Sequence, residues 1–341
     1  MLKKVLIVLC ILIVLSTAGV TARLMVVPVQ ENIEGENPFR SDETMLAAHR
    51  GGRLEFPGNT LEAFYNAYSV NEDIIMEADV VLTKDEELVL SHDLTFDRQT
   101  SLKEADTEDI EYSYLMEEEI CFGHENPTNR HGYRKSDGLH PYLNDAGEEV
   151  TPKDVDYPEG VEPRHDEKFL ATTLEELITA FPDNKMVLEI KPSGETGVRT
   201  TEKVLDLMER LDDEYDTFDR ILLGSFRRIV ELELMEASQT THPDLMYVPG
   251  LISVVRFYSL QLFRMEGVHE SSAHALIMPP DFLLLNLSTE RIIDIAHEKN
   301  HAVIYFAIND ADEMRRLLEP GADVIMTGLP TEMQDVLSDY D

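Results

Sequence analysis

The chain has 341 residues, and its 67 Asp and Glu against 29 Lys and Arg give a formal net charge of −38. That balance excludes a protein that coats a nucleic-acid backbone, which needs a basic face, so no nucleic-acid partner is expected. A hydrophobic fraction of 43% excludes wholesale disorder. With only Cys10 and Cys121, no Cys-rich metal site is available.

Lys3 and Lys4 precede an apolar run from Val5 to Leu15, and small residues follow up to Ala22. A basic start, an apolar middle and small residues at the end predict a secretory signal over residues 1–22. An uncleaved membrane anchor is the competing reading, because apolar residues resume from Leu24 to Val29. Either reading makes the protein secreted or membrane-anchored, with the body outside the cytoplasm. Residues 23–44, polar and acidic from Gln30 onward, read as a linker.

From residue 45 onward, short apolar runs alternate with helical patterns. Strands are expected at Met45–His49, Ile74–Val81, Glu87–His92, Met186–Lys191, Ile221–Ser225, Ala302–Ala307 and Asp323–Thr327. Leu245–Val248 and Ala275–Met278 compete to be one more. Helical patterns fall at Thr60–Val70, Thr173–Phe181, Thr200–Asp213, Arg227–Ala237, Ser288–Lys299 and Ala311–Leu318. Such alternation implies parallel βαβ units and an α/β fold, here a (β/α)8 TIM-like barrel over residues 45–335. About 100–172 lack any sustained period. Between Lys103 and Lys168 the net charge is −12. This acidic insertion after the third strand is expected to sit over the barrel's C-terminal mouth.

Charged residues occur where apolar strands should not carry them. Glu77 and Asp79 are two apart, so on a strand both face the same side. Two like charges there are costly, because each raises the other's pKa and burial penalises both. A divalent cation removes that cost; salt-bridged strand ends are the other reading of either strand alone. Glu189 and Lys191 repeat the anomaly on the fourth strand. Carboxylate oxygens suit Mg²⁺ or Ca²⁺ better than zinc. His49 closes the first strand and His92 the third, placing two imidazoles for acid and base chemistry beside the metal. Arg50 and Lys191 supply positive charge for a phosphate. Cation, acid, base and anion clamp together are the parts for phosphoryl-ester cleavage.

The order of these motifs resembles the glycerophosphodiester phosphodiesterases, a (β/α)8 barrel family. The resemblance runs through His49-Arg50-Gly51, then Pro57-Gly58-Asn59-Thr60 with Ala63-Phe64, Glu77-Ala78-Asp79-Val80 and Ser91-His92-Asp93. It continues through Leu188-Glu189-Ile190-Lys191, Gly224-Ser225-Phe226 and Thr327-Gly328-Leu329-Pro330. By that resemblance His49 and His92 are the catalytic pair and Glu77, Asp79 and Glu189 hold the metal. Arg50, Lys191, Asn59 and Phe306 contact the substrate, and the reaction is hydrolysis of a glycerophosphodiester to glycerol 3-phosphate and an alcohol. Three positions depart from the family pattern. Gly58 stands for Glu, Phe306-Ala307 for Trp-Thr, and Gly328 for an acidic residue.

The apolar segment from Pro249 to Val268 resembles one in family members that act on lysophospholipids. Its two readings are a membrane-interface helix, with Arg256 and Arg264 near the headgroups, and a barrel helix packed on the sheet. A lysophospholipase D-like activity and a barrel that binds phosphodiesters without cleaving them are the alternative functions.

Overall fold

The computed structural model describes residues 35–340 apart from 101, 118–119, 123–124, 130–131, 136–141, 263–271 and 283–284. The expected signal or anchor therefore lies outside the described residues, as does Arg264. Among the described residues no helix is long and apolar enough to cross a membrane.

Eight parallel strands form the barrel: β1 (Met45–His49), β2 (Ile75–Leu82), β3 (Met186–Ile190), β4 (Ile221–Gly224), β5 (Met246–Tyr247), β6 (Ala275–Met278), β7 (Ala302–Tyr305) and β8 (Val324–Thr327). Their hydrogen-bonded order is β5-β4-β3-β2-β1-β8-β7-β6. The ring is nearly closed, and a bond from the His274 amide to the Tyr247 carbonyl (2.8 Å) ties β6 back to β5.

Both runs that competed for one strand are barrel strands. The expected third strand is not. Leu88–Leu90 pairs antiparallel with β2, Val80 opposite Leu90. The reason is chain length: Thr83–Glu87 is long enough for a hairpin, whereas a parallel return needs a crossover of a dozen residues or more. His92 thus reaches the barrel rim from a hairpin, held there by the Ser91 amide on the Asp79 carbonyl (2.9 Å).

Strand parity divides the core. Ala47, Ile75, Val187, Leu222, Met246, Ala275, Ile304 and Met326 share the barrel interior. Their neighbours Leu46, Met76, Leu188, Leu223, Leu276, Val303 and Ile325 pack against the outer helices. Residues two further along the inward register of β1 to β3 are His49, Glu77 and Glu189, in that order. Cross-strand pairing sets His49 beside Glu77 and Asp79 beside Glu189.

The insertion carries its own apolar cluster. Phe96, Leu115, Phe122, Tyr142, Val150 and Phe169 pack together against Val81 and Val89 of the hairpin. It is tied to the loop after β1, where Tyr142 Oη donates to the Arg53 carbonyl (2.6 Å) and the Asp145 amide donates to Leu54 (2.8 Å). An ion pair between Arg164 and the buried Glu62 (3.0 Å) ties it to helix Leu61–Val70.

Part of the expected linker is folded. Phe39 is fully buried in the barrel-interior cluster. Asn37 donates to the carbonyls of His274 and Asn300, and the Ser41 amide donates to Asp323. These residues meet the N-terminal ends of the strands, so Phe39 plugs the end of the barrel opposite the site. Phe39→Ala should cost about 3–5 kcal/mol in urea denaturation, the range for a core phenylalanine. A change below about 0.5 kcal/mol would mean that the segment is a free linker.

His301 is fully buried in the same region, with Nδ1 2.6 Å from the Ala273 carbonyl. Burial lowers its pKa to about 4. The unfolded chain then binds more protons between pH 6.5 and 4, so the stability from this group is complete above 6.5 and lost as pH falls through that window. The loss is about 2 kcal/mol at pH 5. The wild type should lose stability between pH 7 and 5 more steeply than His301→Asn; parallel curves would refute the assignment.

Candidate active site

The loop after β1 begins with three consecutive left-handed residues, Arg50 (φ 55°), Gly51 (φ 78°) and Gly52 (φ 92°). A Cβ on Gly51 would lie 2.9 Å from the Phe64 amide nitrogen, and one on Gly52 would lie 2.8 Å from Pro330 Cγ. The two glycines therefore allow the loop to turn tightly between the start of helix Leu61–Val70 and the end of β8. That turn aims the Arg50 amide at Glu77 Oε2 (2.8 Å) and Arg50 Nε at Asp79 Oδ2 (2.9 Å).

Asp79 is the centre of the charge cluster and is 1% exposed. Lys191 Nζ lies 2.9 Å from its Oδ1 and 2.7 Å from Glu189 Oε2. Asn59 donates to Asp79 Oδ2 (3.0 Å), and its own carbonyl oxygen accepts from the Asp79 amide (3.2 Å). Burial alone would raise the Asp79 pKa, but Arg50 and Lys191 outweigh it and hold the carboxyl well below the usual range. Glu77 goes the other way. Burial, and then the Asp79 charge, push its pKa up. Glu189 is also raised, chiefly by burial.

Two imidazoles flank the carboxylates. His49 Nε2 is 3.9 Å from Glu77 Oε2, and its Nδ1 accepts from Arg53 Nε (3.1 Å). Burial first, then the Arg50 and Arg53 charges, lower its pKa well below the ordinary value. His92 Nδ1 is 2.7 Å from Asp93 Oδ1. Burial raises the Asp93 pKa, but hydrogen bonds from His92 and Arg98 outweigh it and hold the carboxyl at about 2. Arg98 grips both Asp93 oxygens through Nε and Nη2, and the same Nη2 lies 2.9 Å from His92 Nδ1. We assign the Nδ1 proton to the His92–Asp93 bond, because that contact is the shorter and its acceptor is charged.

Most of the expected site residues gather at one mouth. His49, Arg50, Glu77, His92, Glu189, Lys191 and Phe306 line a single cavity of about 690 Å³. Asn59 does not. It is fully buried beneath Asp79, so its amide orients that carboxylate rather than a substrate. Asp79 itself is covered by Arg50 and Lys191. Among the described residues no three metal-ligating side chains are gathered closely enough to hold an ion as they stand. Charge explains this: Lys191 occupies the space between Asp79 and Glu189.

The cavity extends away from these charges into an apolar funnel. Phe226, Val254, Val255, Tyr258, Phe282 and Leu285 are among the residues that line it. Helix Leu251–Leu262 buries Val254, Phe257 and Leu260 and leaves Leu251, Ile252 and Val255 exposed. It is packed on the barrel and also forms the funnel wall. Arg256, expected near headgroups, is instead buried on the packed face, at 5% exposure.

Paired cations, clustered carboxylates and two imidazoles at the C-terminal mouth of a parallel barrel define an enzyme built to act on a phosphate ester. The profile described as the glycerophosphoryl diester phosphodiesterase family matches residues 49–332, and the chain belongs to that family. Mouse lysophospholipase D GDPD3 is 32% identical over 318 residues, covering 86% of this chain and 81% of that protein. A glycerophosphodiester phosphodiesterase of Bacillus altitudinis is 24% identical over 291 residues, covering 84% and 95%. Among solved structures, an Oleispira antarctica phosphodiesterase in complex with sn-glycerol-3-phosphate superposes with a TM-score of 0.59 at 17% identity, covering 87% of this chain and 97% of that one. The chain is thus a phosphoric diester hydrolase of the glycerophosphodiester type.

Asp79→Asn should cost about 3 kcal/mol in urea with chelator present, because it leaves two buried cations without their shared carboxylate. Glu77→Gln should change stability by less than about 1 kcal/mol, since the Arg50 amide keeps an acceptor. The reverse ranking would show that Asp79 is not the organising charge.

Proposed function

We propose that this chain hydrolyses glycerophosphodiesters to glycerol 3-phosphate and an alcohol, with His49 and His92 as its catalytic pair. The observation that carries the reading is the convergence of both imidazoles, Arg50 and Lys191 on one cavity. Asp93 holds His92 with its Nδ1 protonated, which leaves Nε2 as the acceptor for the attacking oxygen's proton. As that oxygen bonds to phosphorus and the ester P–O bond breaks, the leaving oxygen takes a proton from the imidazole pair and departs as the alcohol, while Arg50 and Lys191 face the charge that gathers on the phosphoryl oxygens. His49 lines the same cavity, with Nε2 3.9 Å from Glu77 Oε2.

A divalent cation fits the donor set. Glu77, Asp79 and Glu189 offer only oxygens, and three carboxylates outnumber the two side-chain cations beside them. The raised pKa of Glu77 reflects its burial first and the neighbouring Asp79 charge second. Mg²⁺ or Ca²⁺ held by these three residues would polarise the phosphoryl group, competing with Lys191 for Asp79.

A lysophospholipid is the second substrate that the site supports, because the apolar funnel opens directly from the charged end. An acyl chain would lie along Leu251, Val255 and Phe282. These residues are exposed at the mouth, and their exposure supports contact with a membrane surface that carries such a substrate. A secreted or membrane-anchored location remains the proposal for residues 1–22.

Choline release from glycerophosphocholine and from lysophosphatidylcholine tests both readings. Turnover should need Mg²⁺ or Ca²⁺, stop with chelator, and fall at least ~100-fold in His49→Ala and His92→Ala. Equal turnover by the variants, or none by the wild type with either metal, would defeat the enzymatic reading. Leu251→Asp should weaken the acylated substrate alone.

A further inference from the structure

The lysophospholipid reading uses apolar residues inside the funnel and leaves others, outside it, unexplained. Ile229 and Leu232 on helix Arg228–Gln239 and Ile252 on helix Leu251–Leu262 are exposed, yet none of them lines the cavity. An acyl chain held in the funnel cannot cover them.

These residues belong to one rim. The buried Glu231 carboxylate joins the two helices at their first turns, where Oε2 accepts from Arg228 Nη1 (2.6 Å) and Oε1 accepts from Ser253 Oγ (2.9 Å). A Cβ on Gly250 would lie 2.5 Å from Glu231 Oε2, so only a glycine permits this approach. Phe226, 52% exposed, and Leu251, 57% exposed, continue the rim to the edge of the cavity. Exposed apolar side chains gathered on adjoining elements mark a contact site.

Charge selects what the rim contacts. Arg227 follows Phe226, and its Nε donates to the Lys191 carbonyl (3.3 Å). It is exposed and has no carboxylate partner among the described residues. An unpaired cation beside apolar side chains suits a lipid surface, with the guanidinium at the phosphate level and the side chains beneath it. The net charge of −38 works against a strongly anionic surface, which leaves a zwitterionic one.

We propose that the rim formed by Phe226, Arg227, Ile229, Leu251 and Ile252 docks on a zwitterionic phospholipid surface and sets the funnel mouth against it. The proposal deepens the lysophospholipid reading of this mouth by naming the surface that supplies the substrate. A lysophospholipid would then pass from that surface into the funnel without crossing water.

The chain has no Trp, so one introduced indole reports its own surroundings. In Ile252→Trp, phosphatidylcholine vesicles brominated in their acyl chains should quench the emission about 2-fold or more, because a docked rim reaches ~5–10 Å into the headgroup boundary. Tyr340→Trp, at the exposed far end of helix Pro330–Tyr340, should not be quenched. Both variants keep residues 1–22, so a difference between them reports the rim. Ile229→Asp combined with Ile252→Asp should lower turnover of lysophosphatidylcholine carried in phosphatidylcholine vesicles ~10-fold, the effect of withholding two partly buried aliphatic side chains. Turnover of glycerophosphocholine should not change, which also shows that the variant folds. Equal quenching in the two Trp variants, or none in Ile252→Trp, would overturn the docking. So would a dimer in sedimentation that Ile252→Asp dissociates, since a second copy would then cover the rim. Quenching in Ile252→Trp without any cleavage of lysophosphatidylcholine would sink the lysophospholipid reading and leave the docking standing.

Discussion

A carboxylate buried at a barrel rim is the constraint on which the rest of this site depends. Asp79 cannot be charged in that position without compensation, and the chain supplies it from three directions: Arg50 from the loop after β1, Lys191 from the end of β3 and Asn59 from the turn before the first barrel helix. Arg50 and Asn59 both adopt left-handed backbone to get there, at φ 55° and 63°. Such conformations cost non-glycine residues roughly 1–3 kcal/mol each and persist only where the surroundings hold them. The ion pairs and the amide bridge to Asp79 are what hold them here. The folding of the rim and the arrangement of its charges are therefore one problem with one solution.

Much of this was legible because strand geometry has a period of two. Glu77 with Asp79 and Glu189 with Lys191 could be placed on common faces from spacing alone, and the register then set Asp79 beside Glu189. What spacing could not provide was the sense of the Leu88–Leu90 strand, although the short Thr83–Glu87 connection carried that signal. Nor could it show that Asn59 faces a carboxylate, since a buried amide and a substrate-binding amide look alike in sequence. Phe39 was hidden by its company: a single aromatic among acidic and polar residues has no periodicity to betray a core position.

The funnel illustrates a different limit. Helix Leu251–Leu262 is apolar on more than one face, so its composition allowed either a membrane-interface or a barrel-packed helix. The structure shows why the two readings overlap. One face seats Val254, Phe257 and Leu260 in the core, while Leu251 and Val255 turn toward the cavity mouth. An element that packs and lines a pocket at once needs apolar residues on both sides, and hydrophobic patterning cannot apportion them.

The departures from the family pattern look like losses when read one position at a time. In three dimensions the two glycines each sit against neighbours that occupy the space. Gly58 lacks a carboxylate, yet any side chain there would collide with Arg53, which uses the room to reach His49. Gly328 likewise lacks an acidic group. A Cβ on it would lie 3.0 Å from Leu54 Cγ and 3.2 Å from Asn309 Oδ1, and its amide already donates to that same oxygen (2.7 Å). Arg53 and Leu54 are consecutive and lie on the loop that the insertion grips through Tyr142 and Asp145. The two glycines, the loop after β1 and the insertion thus form one packed unit. A glutamate at residue 58 could not simply be added to this arrangement, because its Cβ would lie 2.8 Å from Arg53 Cβ and 3.2 Å from Arg50 Cβ and one of them would have to shift.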